Sequence, residues 1–301
     1  MNRIFVTGAS GFLGSRLLRT LVTRGMAFVG LDRTGKLAAK GASQDGLEVV
    51  RGDLLNPQTY REALASTPTV VHMAAATGKA SADEHFEVNS RGTETLLEEC
   101  LQAGVQRFLF ISSIAVKFPD KSRYYYAQAK QLAERAVQDS GLDFMILRPT
   151  IILGRGSGPL TALDRLARMP VIPVFGDGRV RVQPVFVEDL VACIVAILEQ
   201  PLFGEEVLEL GGPTVLTIED LLLEIRRAGI GRPGRTVHVP LRPLLMLLGA
   251  AERIGFQGLP LTAGQLSSFR FDGSIESSRF FEDRRGTLKT VPEMLSLSLA
   301  A

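Results

Sequence analysis

The stretch RIFVTGASGFLGSRLLRTLVTRGMAFVGLD, residues 3–32, decides the fold. Its opening, RIFVTGA (3–9), predicts a strand, GFLGSRLLRTLVTRG (11–25) an amphipathic helix, and AFVGLD (27–32) a second strand. Between the first strand and the helix, Gly8, Gly11 and Gly14 fall three apart. A turn this tight needs a residue without Cβ, the backbone must approach a pyrophosphate, and the helix must pack close to the strand. The helix N-terminus adds free N–H groups and partial positive charge. Gly8, Ser10, Gly11, Phe12 and Leu13 are therefore the expected seat of a dinucleotide's phosphates.

Asp32 closes the second strand. A carboxylate there accepts hydrogen bonds from the adenine-ribose hydroxyls and repels a 2′-phosphate, which predicts NAD. Arg33 follows at once and is the group that would receive that phosphate, so NADP stays open. Asp53 ends a third predicted strand, LEVVRGD (47–53), with Leu54 beside it. Two roles compete for Asp53: acceptor from the adenine amino group, and cap for the helical pattern in NPQTYREAL.

The strand signal returns in PTVVHMA (68–74), QRFLFISS (106–113) and LDFMILRP (142–149). Helical patterns separate most of these runs, notably 86–104 and 127–141. Apolar strands alternating with helices predict an α/β fold, a Rossmann-like doubly wound parallel sheet. After about residue 150 the rhythm changes: GRGSGPL (154–160) reads as a glycine-rich loop, and the prolines of MPVIPVFGDG (169–178) disfavour helix and central strand. Helices at 188–199, 217–229 and 241–254 and short strands near 180–186, 206–210 and 236–239 follow. The expected organisation is a dinucleotide-binding domain over 1–153 and a smaller, mainly helical substrate region over 154–301, the chain crossing back to the sheet around 180–210.

Composition narrows the partners. A formal charge of +2 without like-charge blocks gives no reason to expect nucleic acid. Cys100 and Cys193 lie in apolar helical patterns and are expected to be buried free thiols of a reducing compartment. A strand begins within two residues of Met1, so no signal peptide is expected, and PLLMLLGAA (243–251) is too short to span a bilayer. The expectation is a cytoplasmic protein without a membrane span. His72, His85 and His238 lack metal-ligand spacing, and no metal is expected.

Six segments now converge: TGASGFLG (7–14), VHMAAA (71–76), VNSRGTETLLEEC (88–100), FISSIAV (110–116), YAQAK (126–130) and LRPTIILGRG (147–156). In this order they resemble the short-chain dehydrogenase/reductase superfamily, and more narrowly its extended branch, the NAD-dependent epimerase/dehydratase group. The resemblance implies a tyrosine–lysine pair with a serine at the end of the preceding strand. Of the three tyrosines in YYYAQAK (124–130), Tyr126 alone has a lysine, Lys130, four residues later. Tyr126 is then the expected general acid/base, with Lys130 binding the nicotinamide ribose and lowering the phenol's pKa. Ser113, matched in preference to Ser112, would orient the substrate oxygen. By the same matching Ala74, Ala75 and Ala76 line the cofactor, Asn89 braces the strand and the site, and Arg148, Pro149 and Thr150 run beside the nicotinamide. The family further implies a homodimer through the helices at 86–104 and 127–141, and hydride transfer at a carbinol carbon of a small-molecule substrate. Nucleotide sugars, steroid- or flavonoid-like alcohols and sugar lactones are the candidates.

The chain departs from nucleotide-sugar members in two places. Val116-Lys117-Phe118 stands where many carry Tyr-Gly after the valine, and RVQPVFVEDL (181–190) puts Phe186 at a histidine-like position. These departures remove residues of the usual nucleotide-diphosphate clamp and leave Arg179 and Arg181 as candidates to grip an anion. QPVFVEDL and GLPLTAGQL (258–266) also resemble relatives of the NAD(P)H-binding accessory subunit of respiratory complex I. That resemblance offers a second class, a nucleotide-binding protein without turnover. The 241–254 helix reads as a core helix capping the substrate cleft, and Arg242 and Arg253 near its ends leave a membrane-surface or subunit contact as the alternative.

Overall fold

A computed structural model describes residues 3–35, 37, 47–253, 263–275 and 287–299. The chain forms two compact units. The first comprises Met1–Ser113, Gln128–Arg148 and Leu190–Leu208, and the second Ile114–Ala127, Pro149–Asp189 and Glu209–Ala301.

The first unit holds the sheet. Its strands are β1 (Ile4–Thr7), β2 (Phe28–Asp32), β3 (Leu47–Arg51), β4 (Thr69–His72), β5 (Arg107–Ile111) and β6 (Asp143–Pro149), and Glu206–Leu210 adds a seventh beside β6. The order is Glu206–Leu210, β6, β5, β4, β1, β2, β3, and every pairing from β6 to β3 is parallel. All residues of β1, β2, β4 and β5 are buried. Burial on both faces is why these strands read as unbroken apolar runs rather than as alternations. Phe5, Val29, Val70, Phe108 and Ile146 from the strands pack with Leu96, Cys100, Ala133 and Val137 from the helices. After β1 the chain builds outward through β2 and β3, then returns to build the other side from β4. The crevice at the carboxyl ends of β1 and β4 is the switch point where such sheets bind ligands.

Helix α1 is Gly14–Thr23, so it starts at the last glycine rather than at Gly11. The short α2 (Arg61–Leu64) precedes β4. The pattern at 86–104 predicts one helix, but the structure divides it into α3 (Ala82–Phe86), a wide π turn at Glu87–Arg91, and α4 (Gly92–Gln102). A capping box between Ser81 and Glu84 starts this run earlier than its apolar pattern indicates. Helix α5 is Tyr125–Gln138. Both cysteines are buried.

In the second unit, helices Gly158–Ala167, Ile218–Ile230 and Val291–Leu299 pack Leu160, Leu163, Leu221, Ile225 and Leu295 together. The first of these corrects the reading of 154–160 as a loop only. Ser157 caps it by accepting from the Leu160 N–H, and Pro159 fits its first turn. Val171–Phe175 is a strand despite its proline, paired in parallel with Arg235–Val239 in a two-stranded sheet where Pro173 sits on an edge. The strand expected over 180–186 is two short pieces, Arg181–Val182 and Val185–Phe186. Residues 258–262 of the GLPLTAGQL run lie outside the described residues. Among the described residues no helix is long and apolar enough to cross a membrane.

Candidate active site

The glycine loop in the first unit is built by exclusion. Gly8 has φ +69°, and a Cβ there would lie 2.7 Å from the Ala74 nitrogen. A Cβ on Gly14 would lie 2.1 Å from the Gly8 carbonyl oxygen. The loop therefore wedges between the α1 N-terminus and the segment after β4, which only residues without side chains permit. No side chain caps α1, and its first turn carries no acidic residue. This donor set fits a pyrophosphate. The Arg16 guanidinium stacks over the Phe12 ring at 4.3 Å and donates to the Phe12 carbonyl, Leu13 is buried, and Ser10 hydrogen-bonds Asp32.

Asp32 is fully buried at the end of β2. Its Oδ1 accepts from the Thr34 N–H at 3.0 Å and hydroxyl at 2.9 Å, and its Oδ2 from the Leu37 N–H at 2.7 Å. Burial alone raises a carboxyl pKa, but these hydrogen bonds, with that from Ser10, outweigh it and hold Asp32 below its ordinary range. Arg33 beside it is exposed.

Asp53 does not end a strand, because β3 stops at Arg51. Its carboxylate accepts from the Leu55 N–H at 3.1 Å, and the capping position of the following helical turn is Asn56. Asp53 thus closes its own turn, an option that short polar side chains take in loops. Leu54 is buried, and a Cβ on Gly92 would meet it at 2.9 Å.

After β4, Ala74, Ala75 and Ala76 are half-buried. Asn89, fully buried in the π turn, grips this segment: its Oδ1 accepts from the Ala76 N–H at 2.7 Å, and its Nδ2 donates to the Ala76 carbonyl at 3.0 Å. The π turn is the local distortion that accompanies this bracing.

Ser112 and Ser113 both lie beyond the end of β5, which stops at Ile111. The chain bends there into a 3-10 turn at Ile114–Lys117. The Ser112 N–H bonds the Leu147 carbonyl, while its buried hydroxyl has no partner among the described residues; Ser113 is half-buried. Lys130 is buried on α5, its ammonium donating to the Ile111 carbonyl at 2.8 Å and lying 4.4 Å from the Phe110 ring centre. Burial pulls its pKa down to about 7, and Glu134 opposes the fall.

In the second unit, Tyr126 stands one turn before Lys130 on α5 and belongs to an aromatic series. Phe271 and Phe118 have ring centres 5.6 Å apart, Phe118 and Tyr124 6.4 Å, and Tyr124 and Tyr126 5.8 Å. Burial, then the neighbouring Tyr126, push the Tyr124 phenol pKa up. Pro149 and Thr150 are buried, and Thr150 is spent internally: its N–H bonds the Leu210 carbonyl and its hydroxyl the Gln183 carbonyl. Arg181 is committed too, its N–H and its Nε each 2.8 Å from the Asp272 carboxylate. Arg179 is exposed.

A glycine loop wedged against β4 at a sheet switch point defines the dinucleotide-binding class. A model of the NAD dependent epimerase/dehydratase family matches residues 4–211, and the chain belongs to that family. The family is NAD-dependent, and NAD is the cofactor. The chain is 32% identical over 202 residues to a ceramide reductase of Caulobacter vibrioides, a match covering 67% of this chain and 62% of that protein. It is 30% identical over 210 residues to a 2-alkyl-3-oxoalkanoate reductase of Stenotrophomonas maltophilia, covering 62% of each. The match thus spans less than two thirds of either relative. In fold the chain is similar to the UDP-glucuronic acid 4-epimerase of Bacillus cereus, solved with UDP-glucuronic acid and NAD: TM-score 0.74, 20% identity, 99% of this chain and 98% of that one covered. These matches do not bear on the resemblance to the complex I accessory subunit.

Proposed function

We propose that this chain is an NAD-dependent reductase or dehydrogenase of an apolar ketone or secondary alcohol, with Tyr126 as general acid/base. The observation that carries the reading is the aromatic series Phe271–Phe118–Tyr124–Tyr126, which ends on the proposed catalytic phenol. A run of neighbouring aromatic rings favours the flat or chain-like apolar body of a keto-lipid or polycyclic ketone over a sugar diphosphate. The pairing of Arg181 with Asp272 points the same way, since it occupies a cation that an anionic substrate would need. The names of the two reductase relatives agree with this class.

Bound NAD would supply the hydride donor or acceptor for the carbinol carbon. Tyr126 moves the proton at the substrate oxygen. Ser113 orients that oxygen by a hydrogen bond. Lys130 would hold the nicotinamide ribose, and its charge favours the ionised phenol. Gly8 to Leu13 would hold the pyrophosphate and Asp32 the adenine ribose, and Ala74 to Ala76 would line the dinucleotide. We further propose a homodimer through α4 and α5, on which Leu101 and Leu132 are exposed. Sedimentation of the purified protein tests it, and a monomer at micromolar concentration contradicts it.

The substrate reading is tested by a panel of long-chain β-keto esters, steroid ketones and UDP-sugars, followed by NADH absorbance for the ketones and by both NADH absorbance and chromatography of the products for the UDP-sugars. The reading predicts kcat/KM highest on an apolar ketone. Turnover confined to UDP-sugars would overturn it.

A further inference from the structure

The first unit contains a buried polar chain that no substrate or cofactor role explains. Thr7, at the end of β1, accepts at its Oγ1 from the N–H groups of Met73 and Ala74, each at 3.2 Å. Both lone pairs are then taken, so its proton goes to the Nδ1 of His72, 2.6 Å away. Nδ1 is therefore an acceptor, and the proton of a neutral imidazole sits on Nε2. That N–H meets the Thr93 Oγ1 at 2.9 Å, and the Thr93 hydroxyl donates to the Asn89 carbonyl at 2.9 Å. Each donor in the chain has one acceptor, and its direction is fixed from end to end.

We infer that His72, held as the neutral Nε2–H tautomer, is a positioning residue that sets the spacing between the glycine loop and the Met73–Ala76 segment. The inference rests on the reading of those two segments as the seat of NAD. Three pieces of the first unit meet at His72: Thr7, adjoining Gly8; the backbone after β4; and the π turn carrying Asn89. Gly8 lies so near Ala74 that a small shift between the two segments opens or closes the loop.

The ring is locked sterically as well. His72 is fully buried and stacks on Phe110 with ring centres 5.4 Å apart and 15° between planes, and Phe110 also carries the Lys130 ammonium. Burial, and next the Lys130 charge, push the imidazole pKa well below its ordinary range. A second proton on Nδ1 would face a hydroxyl whose lone pairs are spent. The sequence gives no hint of this role, because the partners lie 65 and 21 residues away.

Titration of NADH, followed by its own fluorescence against a chain that has no tryptophan, tests the inference. His72→Phe keeps a ring against Phe110 but removes both hydrogen bonds, and the expected result is a Kd for NADH raised about tenfold, the worth of one to two such bonds. Thr93→Val, which removes the Nε2–H acceptor and the Thr93 bond to the Asn89 carbonyl but leaves the Thr7–His72 bond, is expected to raise Kd in the same direction by less. Imidazole ¹⁵N NMR of the wild type is expected to show one histidine as a non-titrating Nε2–H tautomer between about pH 6 and 8. An unchanged Kd in His72→Phe, or in Thr93→Val should His72→Phe not fold, overturns the inference, as does a titrating or Nδ1–H His72. Gly11→Val separates the two readings: if it leaves NADH binding intact, the assignment of the loop has failed rather than the role of His72.

Discussion

The ammonium of Lys130 donates to the carbonyl of Ile111 at 2.8 Å, tying α5 to the end of β5. This cation is buried one helical turn after Tyr126. Burial lowers its pKa from 10.5 to about 7, so across that window the unfolded chain holds a proton that the folded chain lacks. Through this group stability rises as pH climbs from about 7 towards 10.5, and below about 7 the whole cost of burying the charge remains. Lys130→Met should flatten that part of a plot of Tm against pH. An identical slope in variant and wild type would contradict the buried titration.

Gly8→Ala should be costly twice over. The left-handed φ of +69° costs an L residue about 1–2 kcal/mol, and the new Cβ would press on the Ala74 backbone at 2.7 Å. Urea unfolding is expected to show a loss of about 2 kcal/mol or more, with NADH binding lost as well. Wild-type stability and affinity together would mean that the loop is not wedged as described.

Arg148 on β6 and Glu134 on α5 form a two-point ion pair, Nε to Oε1 at 2.9 Å and Nη2 to Oε2 at 2.5 Å. The Glu134 side chain is 4% exposed and that of Arg148 20%. Glu134→Ala leaves a cation mostly out of water and should cost about 3 kcal/mol. Glu134→Ala with Arg148→Met should recover part of that loss. A double variant no more stable than the single one would show that the pair adds packing rather than charge neutralisation.

Asp32→Ala should erode the preference for NAD over NADP, measured as the ratio of their dissociation constants, because both carboxylate oxygens leave and Arg33 stays. It should also loosen Thr34 and Leu37, whose N–H groups Asp32 holds. An unchanged ratio would remove Asp32 from the cofactor assignment.

The strands of the sheet were legible because burial on both faces writes itself into unbroken apolar runs, and the glycine loop because its spacing has a steric cause. Local pattern carried less at the ends of elements. Ser112 and Ser113 look like strand residues, yet β5 stops at Ile111, where the chain turns into a 3-10 helix. The π turn at Glu87–Arg91 has no signature in apolar spacing, since a single wide turn of five residues is too short to set a period of its own. The helix from Gly158 was missed because glycines and a proline outweighed the cap, although Ser157 before Pro159 and Leu160 was a usable signal. Asp32 was found as a carboxylate at a strand end, but its hold on Thr34 and Leu37 depends on a loop that no periodicity describes. His72 lay beyond sequence reasoning altogether, because only the sheet brings Thr7 beside it.

The central claim is that Tyr126 moves the proton. Tyr126→Phe removes one oxygen and leaves the ring packed beside that of Tyr124. Measured on the best ketone of the panel with NADH, kcat should fall by about 10²–10⁴-fold, the usual worth of a positioned acid/base, while the Kd for NADH stays at the wild-type value. A variant that turns over at the wild-type rate would contradict the account.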